Sequence, residues 1–498
     1  MFQKSKKKSF VLFSLFIVLA SFSSFANHLE LGPLFKEHMV LQRNIPINIW
    51  GTSLPNSLVS VSLKNKSIQV KADATGSWKA VLPKFKAGGP YEFSVKTNNE
   101  SIIFKDVMVG EVWICAGQSN MVWPHKNIPE IHQLAQQSKK LRTFEVPKTV
   151  AFEKQNNIKE GSWSLENPSS AVAFTFAYFL QKYADVPVGI VLTAWGSSSL
   201  EGWMPIELTE ELPHFKSIMD TFKHDEDKIK RIKTIVSSKK TRVRNDDVFL
   251  RTQPNIIYNA MMHPLETFSC RGMVWYQGES NTKTKKDMLQ YGESFPLWIE
   301  YLRKQWNQKE FTAIVIALPG YAGGKNKNKL NYAESPTEDS WAWMRESQYS
   351  FENMKNTYVV TTIDLGEKLQ IHPKDKLPVG KRVALLAEKI TLDKEGLVEG
   401  PIFKKHIIKN NEIVVFFKNS KGLKTNNGVS PKGFWIYGND KKWHKAEARI
   451  KGRKVILKAE GVRNPTQVRY AFSAKPIVNL VNKEGLPTRP FRTDEFLD

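Results

Sequence analysis

Four short segments hold the residue types that acyl-transfer chemistry needs. In Gly117-Gln118-Ser119-Asn120 a serine follows directly on the apolar run 112–116. Its hydroxyl is then exposed on a tight turn, and its own N–H opens a helix, where it can stabilise an oxyanion. Trp195-Gly196-Ser197 follows the run 189–193. A glycine there lets a substrate approach the backbone and offers a second amide donor, although the same residues also make a plain tight turn. Gln277-Gly278-Glu279-Ser280-Asn281 follows 273–276 and brings a carboxamide, a carboxylate and, in Ser280, a rival nucleophile. Of the ten histidines, His372 in Ile371-His372-Pro373 is the one on a loop after an apolar run, 358–363. A serine nucleophile needs a base that titrates near neutral pH, and histidine fits. No two histidines have the spacing of a helical metal motif, so no metal ligands and no cofactor are expected.

Segments that follow separate apolar runs converge only if those runs are parallel strands of one sheet, because open parallel sheets bind ligands beyond their carboxyl ends. The runs 112–115, 189–192, 273–276 and 313–317 are unbroken rather than alternating, and the spacers between them are long enough for helices. This predicts an α/β core over 109–391, with a parallel sheet covered on both faces. Helices are expected at 172–183, where Phe174, Ala177, Tyr178 and Leu180 share a stripe, and at 379–390, where Val383, Leu386 and Ala387 do. The lysine-rich stretch 209–250 reads as an exposed helical insertion, and 321–335, rich in Gly, Asn and Lys, as a long loop between the last two core strands. On either side the period is two. Residues 27–108 predict a small antiparallel β-sandwich, and 392–498 a second β-domain with a hairpin turn at Lys451-Gly452.

The chain of 498 residues has 41% hydrophobic and 24% charged residues, which excludes wholesale disorder. Its net charge of +24 comes from 73 Lys plus Arg against 49 Asp plus Glu, scattered through every region with no nucleic-acid-binding signature. Nucleic acid is therefore not an expected partner, whereas an acidic substrate would be attracted. The two cysteines, Cys115 and Cys270, border apolar runs and are read as buried thiols or as one disulfide. Residues 1–26 place four lysines before an apolar run at 10–20 and end in Ser24-Phe25-Ala26, the pattern of a secretory leader cleaved after Ala26. That run is too short to span a bilayer, so a periplasmic or secreted protein without stable membrane insertion is expected.

Taken together, Gly117-Gln118-Ser119-Asn120-Met121, Trp275-Tyr276-Gln277-Gly278-Glu279-Ser280-Asn281 and Ile371-His372-Pro373 resemble the sialate O-acetylesterase family of SGNH hydrolases. Matches at both ends extend the resemblance: Met39-Val40-Leu41-Gln42-Arg43 and Ala87-Gly88-Gly89-Pro90-Tyr91, then Arg469-Tyr470, Gly485-Leu486-Pro487 and Pro490-Phe491-Arg492. The resemblance implies a flavodoxin-like three-layer core flanked by β-domains. It makes Ser119 the nucleophile and His372 the base, demotes Ser280, and gives the oxyanion to Ser119, Gly196 and Gln277. Gln118, Asn120, Glu279 and Arg345 become candidate substrate contacts. The sequence departs from the family after Gly196, where Ser197-Ser198-Ser199 stands in place of Gly and Thr. It departs again before His372, where Gln370 and Leu369 occupy the positions that usually carry the orienting Asp. Asp364 and Glu367 are the upstream candidates for that acid, and a backbone carbonyl holding the imidazole is the alternative.

The expected activity is an exported serine esterase that removes O-acetyl groups from sugars, with O-acetylated sialic acids first and acetylxylan as the nearest rival. The reading of a different kind is an inactive hydrolase scaffold that binds carbohydrate.

Overall fold

The computed structural model describes residues 28–136, 138, 141–158, 160–238, 242–323, 333–336 and 340–495. The leader expected over 1–26 lies outside the described residues, as does the 324–332 part of the long loop.

Six strands build the centre: β1 (Ser101–Gly117), β2 (Leu141–Glu145), β3 (Val188–Ala194), β4 (Gly272–Tyr276), β5 (Thr312–Ile316) and β6 (Thr357–Val360). Their spatial order is β2-β3-β1-β4-β5-β6 with every neighbour parallel, and Trp163–Ser164 adds an antiparallel edge outside β2. Every residue of β3, β4 and β5 is buried, as a sheet covered on both faces requires.

The helices used below are α1 (Ser119–Val122), α2 (Ala171–Ala184), α3 (Arg244–Arg251), α4 (Lys285–Gln305), α5 (Ala342–Tyr349) and α6 (Lys376–Leu392). Two of them fall where the apolar stripes predict. Ser170 caps α2 by accepting the Ala173 N–H at 3.0 Å, and Asp393 ends α6 in the left-handed conformation. None of the described helices is long and apolar enough to cross a membrane.

The boundary expected between 108 and 109 falls inside β1. The first part of this strand pairs antiparallel with Gly88–Lys96, while its last residues form the middle of the parallel sheet. Val40–Gln42 docks beside 108–110, and Gln42 Oε1 accepts the Val112 N–H at 2.8 Å. Arg43 and Arg271 both reach the fully buried Glu111, at 2.6 and 3.3 Å, so the N-terminal motif neutralises a charge beneath the central strand.

The insertion over 209–250 is helical, as read. Its helices Pro213–His224 and Glu226–Ser237, with α3, bury Phe215, Met219, Phe222, Ile232 and Leu250 and leave the lysine-rich faces outward. Cys115 and Cys270 are separate buried thiols, so the disulfide alternative falls.

At the C-terminal end, small antiparallel sheets enclose a second cluster that includes Ile413, Val415, Val455, Val468 and Tyr470. The hairpin at Lys451-Gly452 forms between Glu447–Lys451 and Lys454–Lys458. Arg492 grips Glu346 of α5 with two bonds of 2.7 and 2.9 Å, and Arg489 grips Glu352 with two of 2.6 Å, fixing this unit to the core.

Candidate active site

The strand order reverses at β1. The chain leaves it for β2 on one side, returns to β3, then crosses to β4 on the other, and it is beyond the carboxyl ends at such a switch that open parallel sheets bind ligands. Gly117 at the end of β1 is level with Ala194 of β3 and with Tyr276 of β4, so the segments carrying Ser119, Gly196 and Gln277 leave the sheet side by side. Gly117 is required there: its φ is 139°, and a Cβ would stand 2.2 Å from the Tyr276 carbonyl. The Gln118 N–H donates to that carbonyl at 3.0 Å, and the Trp195 N–H donates to the Gly117 carbonyl at 3.0 Å. The first turn is thereby bonded to each of the other two.

Ser119 is the first residue of α1, and a Cβ on Gly196 would lie 3.4 Å from Ser119 Cβ. Among the described residues, neither the Ser119 N–H nor the Gly196 N–H has an acceptor. Two neighbouring free amides beside a serine hydroxyl are what an oxyanion needs. Gln277 was expected as a third donor, and here the structure differs. Its Nε2 lies 3.1 Å from Gln118 Oε1, 3.2 Å from the Ser198 carbonyl and 2.9 Å from Asn281 Oδ1. Two N–H groups facing three internal acceptors have none left for substrate, so Gln277 braces the three turns.

The His372 ring stacks on Trp123, which follows α1, with centroids 5.1 Å apart. Asn120, next to Ser119, donates from Nδ2 to the Ile371 carbonyl at 3.1 Å. The neighbour of the serine therefore holds the neighbour of the histidine. The same Nδ2 donates to Glu279 Oε1, and Asn120 Oδ1 accepts from Lys376 Nζ, both at 2.5 Å. Lys376 is fully buried, with its ammonium 5.4 Å from the centre of the Tyr276 ring. Burial lowers its pKa to about 7 against the pull of Glu279, and burial in turn raises the Glu279 carboxyl. Burial first, then the Lys376 charge, lowers the pKa of His372, which keeps the imidazole in its basic form.

Neither proposed orienting acid reaches the histidine. Asp364 is taken by Arg382 in a two-pronged pair of 2.7 and 2.6 Å, and Glu367 is exposed on the loop. The Gln370 side chain accepts the backbone N–H of His372 at 3.4 Å and forms no hydrogen bond with its ring. Among the described residues no carboxylate is hydrogen-bonded to the imidazole. Asp364→Asn is accordingly expected to leave kcat within about threefold of wild type while lowering stability by about 1–3 kcal/mol through the weakened Arg382 pair. Parallel rate and melting measurements check this.

The expected substrate contacts also need correction. Gln118, Asn120 and Glu279 are buried and bonded to one another's loops, which makes them supports. Arg345 is wholly buried, donating to the carbonyls of Pro319 and Ser473, and joins the core to the C-terminal unit. The rival Ser280 spends its amide on Gln118 Oε1 at 3.2 Å, so it lacks the free donor that Ser119 has beside it. Two residues had not been singled out. Lys376 lies seven positions before Val383, on the stripe that marks the buried face of α6, and that spacing was a usable signal. Arg251, at the end of α3, places Nη1 3.6 Å from a Cβ on Gly196. Nothing in the sequence sets it apart from the other cations of the insertion. Among the described residues there is no group of three or more His, Cys, Asp or Glu arranged to hold a metal ion.

Comparison with known proteins agrees with this architecture. The family model "Carbohydrate esterase, sialic acid-specific acetylesterase" matches residues 249–387. The chain is 27% identical to the sialate O-acetylesterase of Mus musculus over 421 residues, covering 74% of each chain. It is 26% identical to that of Homo sapiens over 409 residues, covering 74% of this chain and 72% of the human one. The crystal structure of a carbohydrate acetylesterase from Xanthomonas citri superposes with a TM-score of 0.80 at 32% identity, covering 94% of this chain and all of the other. Fold and family together define a carboxylic ester hydrolase of mixed α/β architecture. The chain belongs to the sialate O-acetylesterase family.

Proposed function

We propose that this protein hydrolyses O-acetyl esters of sugars with Ser119 as nucleophile and His372 as general base. Ser119 Oγ attacks the acetyl carbonyl as His372 accepts its proton. The Ser119 and Gly196 amides hold the oxyanion, and the deacetylated sugar leaves with the proton returned. A water activated by His372 then releases acetate. The structure holds no Ser119–His372 hydrogen bond, and this reading requires one to form in the substrate complex, as catalytic bonds of unliganded sites commonly do. The single observation that carries the reading is the pair of acceptor-free amides, of Ser119 and Gly196, at the switch point of the parallel sheet.

O-acetylated sialic acid is the preferred substrate. The relatives named above are sialate O-acetylesterases, and the excess of Lys and Arg over Asp and Glu, which persists without residues 1–26, favours an acidic sugar. Acetate release from acetylated sialic acids and from acetylxylan tests this, with faster turnover of the sialic acids expected and faster turnover of xylan overturning it. We further propose export after removal of residues 1–26; Asn27 as the N-terminus of protein recovered outside the cytoplasm checks it.

One observation favours a carbohydrate-binding scaffold instead: the His372 ring has no hydrogen-bond partner among the described residues. Failure to hydrolyse 4-nitrophenyl acetate would support that second reading.

A further inference from the structure

α3 carries Arg251 over the catalytic turns. Its Nη1 and the Ser119 side chain flank the same glycine, at 3.6 Å and 3.4 Å from a Cβ on Gly196. Within the chain this cation is under-satisfied. Nη1 lies 3.1 Å from Asp247 Oδ2, but that oxygen also accepts the Trp195 indole N–H at 3.3 Å. Arg251 Nε is buried with no acceptor among the described residues. A buried guanidinium N–H without an acceptor costs free energy, and its retention calls for an explanation.

The surroundings add positive charge. The Arg242 guanidinium stands 6.0 Å from the centre of the Trp195 ring, and Arg244 is close enough to help lower the Arg251 pKa after burial has done so. The other carboxylate of this helix, Asp246, is paired with Arg231 at 3.3 Å. An ester whose acetyl group lies at Ser119 must extend its alcohol portion past these turns, and the Arg251 side chain beside them is 15% exposed.

We propose that Arg251 is a specificity-determining residue that binds a carboxylate on the sugar while the acetyl group lies against Ser119 and the Gly196 amide. The inference rests on Ser119 being the nucleophile. Nε is enclosed and Nη1 is the nitrogen placed beside Gly196, so the guanidinium meets the carboxylate by its terminal nitrogens, with Asp247 sharing Nη1.

The test compares kcat/KM of wild type, Arg251→Met and Arg251→Lys on an O-acetylated sialic acid, its methyl ester and 4-nitrophenyl acetate. Wild type is expected to prefer the free acid to its methyl ester by about 10- to 100-fold. Arg251→Met removes that preference while changing the two uncharged substrates less than about threefold, and Arg251→Lys restores part of it. Equal losses on all three substrates would overturn the proposal, because Arg251 would then serve the oxyanion or merely hold the Gly196 turn. A wild type indifferent to the methyl ester would also overturn it. The nucleophile reading fails separately: Ser119→Ala that keeps wild-type turnover retires Ser119, whereas loss of acid preference in Arg251→Met would still assign the carboxylate to Arg251.

Discussion

Ser119→Ala is expected to lower kcat on any acetyl ester by roughly 10⁴- to 10⁶-fold, and His372→Ala by a similar factor, with no further loss in the double variant. The three losses coincide because the serine is a weak nucleophile without its base, and the base has nothing to activate in the first step without its serine. Residual hydrolysis above the water rate should persist in all three, since the Ser119 and Gly196 amides are backbone groups that neither substitution removes. Acetate release under single-turnover conditions, with melting curves for each variant, is the measurement. Turnover within about tenfold of wild type in Ser119→Ala would transfer the nucleophile to Ser280.

The second large effect is expected beneath the site. Lys376→Met should reduce kcat by about 10²-fold with KM little changed, because Lys376 holds Asn120, and Asn120 holds the segment that carries His372. A residue that only filled space would lower stability and leave the pH profile alone. Here the profile should move as well. The Lys376 charge lowers the pKa of His372, so its removal raises that pKa and shifts the acid limb of kcat/KM to higher pH.

The stability profile provides an independent sign. Lys376 titrates at about 7 in the fold against its ordinary value of 10.5. Between those values the unfolded chain binds a proton that the folded one does not, so wild-type stability rises with pH across that window on account of this group. Below about pH 7 the destabilisation by the buried ammonium is fully present. Lys376→Met should lose the rise. An unchanged acid limb together with an unchanged stability slope would leave Lys376 as packing only.

How much of this could be read from residues alone depended on whether a local rule governed the position. The unbroken runs at 112–115, 189–192, 273–276 and 313–317 became β1, β3, β4 and β5 because a strand buried on both faces admits only apolar side chains. Ser119, Gly196 and Gln277 were found by the same logic, since each follows such a run. Their order across the sheet is set by crossovers that leave no local trace. The side-chain roles were less legible. Asp364 looked available as an acid until the fold brought Arg382 against it, and Arg345 looked like a substrate contact until it proved to be wholly enclosed. Both pairings join residues distant in sequence, and neither composition nor period encodes them. Lys376 is the instructive intermediate: the helix expected from 379 begins at Lys376, seven residues before Val383 on the buried face, but only the fold set Asn120 and Glu279 there to meet it.

The 17 residues of β1 run without a break from a hairpin in the N-terminal sheet to Gly117, two residues before Ser119. Amide protection along this strand should therefore be lost in one opening event, with 101–108 and 109–117 exchanging as a single cooperative unit. A fragment trimmed to begin at residue 109 would keep Ser119 and His372 and lose the strand's outer anchor, including the pairing of Val40–Gln42. The N-terminal sheet thus belongs to the folding unit of the enzyme, and proteolytic nicking within 88–100 is a route to inactivation that never touches the crevice.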